Sequence, residues 1–86
     1  TIVNARLFFY GYMQSEDFDK AYSLAEYVMK RSKSKEMPYQ LMGVYYGTIG
    51  EEKEALSYIE KLQKLSNHQV LHLQKRARDR YHPLLT

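Results

Sequence analysis

His68 and His72 stand four residues apart in a stretch of helical pattern, a spacing that turns two imidazoles to one face and can offer two ligands to a metal ion. Binding needs further donors, and neither a nearby third ligand nor a glutamate motif accompanies them. They read as a surface histidine pair, and no metal is expected. The acidic group Glu16, Asp17 and Asp19 falls where a helix should begin, so the positive end of the helix dipole explains it more simply than acid–base chemistry does. With no cysteine, Gly-rich phosphate loop or nucleophile elbow in the chain, neither enzyme activity nor a cofactor is expected.

Size points the same way. The 86 residues make one small domain, and a chain this short buries only about 60% of the surface its unfolded form exposes, too little for a deep cleft. Nine tyrosines and three phenylalanines supply the core, without tryptophan or cysteine. Lack of cysteine fits a reducing compartment, and a cytoplasmic, intracellular location is expected. No run approaches the roughly 20 apolar residues of a membrane span. Opening without methionine, inside what reads as a helix, the chain is expected to be a piece of something longer.

The elements are helices almost throughout. Ile2, Ala5, Phe8, Phe9, Tyr12 and Met13 recur at spacings of three and four, as do Phe18, Ala21, Tyr22, Ala25, Val28 and Met29. Ser15 or Asp17 can cap the second helix. That helix closes on the basic run Lys30, Arg31, Lys33 and Lys35, and Pro38 suits the first turn of the next. A break near 49–51 divides a second pair, 38–48 and 52–65. Asn67 is a good cap for a fifth helix, about 68–81, and Pro83 lies just beyond its end.

The chain repeats itself. A shift of 34 residues lays Ala21 on Ala55, Tyr12 on Tyr46, Phe8 on Met42, Val28 on Leu62 and Ala25 on Ile59. Helix pairs at this period resemble the tetratricopeptide repeat, and the second unit carries the signature of that family. Tyr39 stands at its first aromatic, Met42 and Gly43 at its Leu-Gly pair, Tyr46 at its tyrosine, Gly50 at its turn, Ala55 at its small residue, and Ile59 and Leu62 at later apolar positions. In this register Gly43 and Ala55 are small so that two backbones approach closely, and Gly50 breaks the helix. Gly47 is not explained. The first unit departs twice: Phe9 takes the small-residue position and Glu16 the turn glycine, which counts against close packing of that pair. The 35-residue pentatricopeptide repeat fits the offset less well.

The fold expected is therefore all-α: one tetratricopeptide-like domain over 1–86, with hairpins at about 2–31 and 37–65, repeats at about 2–35 and 36–67, and a capping helix at about 68–81. The resemblance implies a non-enzymatic interaction module whose first helices line a concave groove for a peptide or helix of another protein. It places Val3, Arg6, Tyr10, Met13, Gln40, Val44, Leu71, Gln74 and Arg78 on that side. A subset of the family grips the terminal carboxylate of chaperones. Arg6 and Lys75 match two of its basic groups, but Tyr10 and Leu41 stand at its asparagines, so directional amide donors are missing and that clamp is not expected.

Charge offers a rival. Residues 1–66 hold nine basic and nine acidic side chains, while Lys75, Arg76, Arg78 and Arg80 against Asp79 give the last helix the whole net +3. Such a helix can meet phosphates or anionic lipid. Tyr81 alone is a thin stacking platform, and a basic run also complements a helix C-terminus. Neither nucleic acid nor membrane is an expected partner. Self-association is the alternative, because two hairpins fall below the three or so repeats that suffice alone.

Overall fold

The computed structural model describes residues 2–85, with side chains described over 4–76. Four helices follow one another: α1 (Ile2–Gln14), α2 (Phe18–Arg31), α3 (Glu36–Thr48) and α4 (Glu52–Leu85). The fold is all-α, as the periodicity indicates. Each helix packs on the next in sequence, and α1 also touches α3.

The two hairpin turns are built alike although their sequences differ. After α1, Asp17 donates its backbone N–H to the Tyr12 carbonyl at 2.8 Å and Glu16 to that of Met13 at 3.1 Å. After α3, Glu51 donates to Tyr46 at 2.8 Å and Gly50 to Gly47 at 3.4 Å. Both sets are the paired bonds of a Schellman ending, which satisfies the last carbonyls of a helix by turning one residue left-handed. Gly50 does so at φ 88° and Glu16 at φ 58°. Glu16 thus performs the role of the turn glycine despite its Cβ, at a steric cost of about 1 kcal/mol or more.

Asp17 occupies the N-cap of α2, but its carboxylate makes no cap bond and pairs instead with Lys20 at 3.5 Å. At the other end of α2, the Lys35 ammonium donates to the carbonyls of Met29 and Ser32, at 2.5 and 3.0 Å. This ties down the helix end that the basic run follows. Pro38 sits in the first turn of α3 and is buried, where its missing N–H costs nothing.

Phe9, Ala21, Ala25, Leu41 and Met42 form the core, joined by buried Ala5, Val28 and Pro38. Phe9, at the position the repeat reserves for a small residue, is fully buried at the centre. The first pair packs closely around it, against expectation, because Ala21 and Ala25 on the facing helix are the residues that are small. Gly43 corrects the opposite way: a Cβ there would lie 3.9 Å from Ile59 Cγ1 and Tyr58 Cβ, an ordinary contact, so the crossing of α3 and α4 does not demand glycine. Nothing in the packing requires glycine at 47 either.

A ladder of tyrosines ties the repeats together. Tyr22 of α2 lies 5.1 Å from Tyr45 and 6.4 Å from Tyr46, between ring centroids; Tyr46 stacks nearly parallel on Tyr58 of α4 at 5.8 Å, and Tyr58 meets Tyr39 at 6.0 Å. Such pairs contribute about 0.5–1.5 kcal/mol beyond their area.

The separate capping helix is absent. Where a fifth helix was expected over 68–81, α4 runs without interruption from Glu52 through Asn67, Tyr81 and Pro83 to Leu85. Asn67 is a tolerable interior residue, costing well under 1 kcal/mol against alanine. A break there would orphan up to four carbonyls and four N–H groups. Leu62, Leu65 and Gln69 meanwhile stay beside Glu36 and Gln40 of α3, so packing spans the expected break.

Candidate interaction surface

Arg6 and Gln40 occupy equivalent places in the two repeats, and the guanidinium Nη2 donates to the Gln40 side-chain carbonyl at 2.5 Å. That bond joins α1 to α3 across one face. Tyr10 and Met13 follow Arg6 at helical spacing, and Val44 follows Gln40 by one turn. All three are half-buried against the core, with Tyr10 edge-on to Phe9 at 5.4 Å. Five of the expected residues, Arg6, Tyr10, Met13, Gln40 and Val44, therefore share the α1 and α3 side.

Gln40 is also the hinge of a trough. On one flank lie Arg6, Ser34, Glu36 and Met37; on the other, Leu62, Leu65, Ser66 and Gln69 of α4 bound a recess of about 260 Å³. Beyond Gln40, Val44, Ile59 and Leu62 make a nearly apolar continuation. Leu62, Leu65, Ser66 and Gln69 were not among the expected residues. Their signal was present, since spacings of three and four continue past 65 through Gln69 without a glycine or proline.

Leu71 and Gln74 do not join this cluster. Glu36 begins α3 and already faces Gln69, so the remaining 16 residues of α4 project past α3 by about 24 Å at the usual helical rise. Leu71 is 64% exposed, and among the described residues α4 touches no helix other than α3. The inward placement of these positions, implied by the resemblance, needs a separate last helix, and α4 is continuous. The side chains of Val3 and Arg78, the remaining two expected positions, lie outside the described residues.

His68 and His72 stack on the outside of α4 with ring centroids 6.5 Å apart, and Arg76 Nη2 approaches His72 Nε2 at 3.3 Å. No group of three or more metal-ligating side chains exists among the described residues. Among the described residues two tyrosines have perturbed acidities. The Tyr22 phenol is pushed up to about 12, first by its hydrogen bond with Tyr46 and the charge on that neighbour, then by burial and by Glu26. Burial, followed by Tyr46 and Tyr39, raises Tyr58. Both stay neutral and able to donate hydrogen bonds in ordinary buffers. No described helix is long and apolar enough to cross a membrane.

Compared with known proteins, the chain matches no family model, no curated protein and no solved structure at a significant level.

Proposed function

We propose that this chain is a tetratricopeptide-type interaction module that holds a peptide or helix of another protein along the α1 and α3 face, in the trough beside Gln40. The observation that carries the reading is the Arg6–Gln40 bond, which joins positions 34 residues apart; Tyr10 and Val44 follow its two ends by one helical turn each. The trough suits such a partner: an apolar floor from Val44, Ile59 and Leu62, edged by polar groups of Arg6, Glu36, Ser66 and Gln69. Apolar anchoring with polar orientation is the usual composition of a binding cleft.

A displayed library of random peptides, selected on the intact chain, tests the reading. Selected peptides should lose about tenfold or more in affinity, roughly 1.4 kcal/mol, on Tyr10→Ala and on Val44→Glu. Glu26→Ala, on α2, should leave them unchanged. Failure to select any binder, or binders sensitive only to Glu26→Ala, would overturn it.

A further inference from the structure

Arg6 of α1 and Ser34 of the linker between α2 and α3 line one recess of about 350 Å³. That linker follows Lys30 and Arg31 and itself carries Lys33 and Lys35, with no acidic side chain from 27 to 35. Two of these cations are committed. Arg31 lies over the Tyr27 ring at 4.0 Å, and Lys35 holds the Met29 and Ser32 carbonyls. The two serines divide in the same way. Ser32 closes α2, its N–H donating to the Val28 carbonyl at 2.8 Å and its hydroxyl to the Ser34 carbonyl at 2.5 Å. Ser34 is exposed, and among the described residues its hydroxyl makes one long bond, accepting from the Glu36 N–H at 3.4 Å. Its proton is uncommitted. Across the recess the Arg6 guanidinium is held by the neutral side-chain carbonyl of Gln40. A phosphate ester carries up to two negative charges and three acceptor oxygens, and bonds between charged partners are about twice as strong as neutral ones.

We propose that Ser34 is a phosphorylation site whose phosphate takes Arg6 from Gln40 and so closes the trough. The enzyme it fits is a serine kinase that selects basic substrates, because cations stand on both sides of Ser34 and kinases choose by such charge patterns. An exposed linker between helices opens at least cost, which gives the kinase access. In the transfer the γ-phosphoryl group of a nucleoside triphosphate leaves the bridging oxygen of its β-phosphate and forms an ester with Ser34 Oγ. The hydroxyl proton passes to the kinase's base, and the diphosphate departs. The inference rests on the trough as the binding site. There the phosphate fills the flank beside Arg6, releases Gln40 from its bond, and adds to the charge of Glu36, which borders the recesses on both sides of Gln40. Arg6 thus has two alternative partners, and the modification decides between them.

The test treats the intact chain with a purified serine kinase of basic specificity, magnesium and ATP, and maps the product by mass spectrometry. Phosphate should appear on Ser34, and Ser34→Ala should abolish it. Phosphorus NMR then reads the contact with Arg6 without any peptide. The phosphate should titrate below its usual value of about 6, because a neighbouring cation favours the dianion, and should return towards that value in Arg6→Gln. Peptides selected on the unmodified chain should lose about tenfold or more in affinity for the phosphorylated one. No transfer to Ser34, or a phosphate that titrates alike with and without Arg6, would overturn the proposal. So would peptides that bind both forms equally. Failure to select any peptide would overturn the trough reading, and the dependence of the phosphate on Arg6, measured separately, tells the two failures apart.

Discussion

Glu16 and Gly50, 34 positions apart, hold the same left-handed backbone at φ 58° and 88°, and each closes its helix with the same pair of hydrogen bonds. A residue with a Cβ and a residue without one do the same geometric work, so only one of them is strained. Glu16→Gly should therefore stabilise the fold by about 1 kcal/mol, and Gly50→Ala should destabilise it by about as much. Thermal melts will read these as opposite shifts of roughly 4–8 °C each. A fall in melting temperature with Glu16→Gly would show that the turn geometry is not shared.

The adjacent phenylalanines should separate sharply. Phe9 is fully buried and Phe8 is 60% exposed. Phe9→Ala removes a ring from the centre of the core and should cost about 3 kcal/mol or more. Phe8→Ala, measured by the same denaturant titration, should cost under about 0.5 kcal/mol. Equal losses would place both rings in the core and contradict the observed burial.

Asn67 distinguishes one long helix from two by the sign of a single substitution. As the cap of a separate helix it would lose about 1 kcal/mol on replacement by alanine. Within α4 it has no cap to lose, and Asn67→Ala should be neutral or stabilising by up to about 0.7 kcal/mol. Urea titration of the two proteins decides between them.

The tyrosine ladder should register at alkaline pH. Tyr22 titrates near 12 in the folded chain against about 10 when unfolded, so its contribution to stability is fully present below pH 10 and is lost as pH rises through 12. Tyrosinate absorbance should show a late-titrating phenol. Tyr46→Phe, which removes the hydrogen bond that contributes most to the shift, should bring that phenol back towards 10. An unchanged late phase in Tyr46→Phe would assign it to another tyrosine.

The sequence by itself determined the all-helical class and the starts of α1, α2 and α4, with that of α3 to within two residues, because side-chain periodicity and turn-forming residues are local properties of the chain. That Arg6, Tyr10, Met13, Gln40 and Val44 belong to one side was implied by the resemblance to the tetratricopeptide repeat rather than by the periodicity itself. Tertiary structure alone decided the rest. Whether Asn67 starts a helix or continues one depends on whether Leu65 and Gln69 remain packed beside Glu36, and both outcomes satisfy the same local preferences. Phe9 became the centre of the core because Ala21 and Ala25 across from it leave room, and Glu16 accepted a left-handed turn because the bonds from Glu16 and Asp17 to Met13 and Tyr12 hold it there. Each of these is settled by what lies opposite a residue in space, and no window along the chain contains that neighbour.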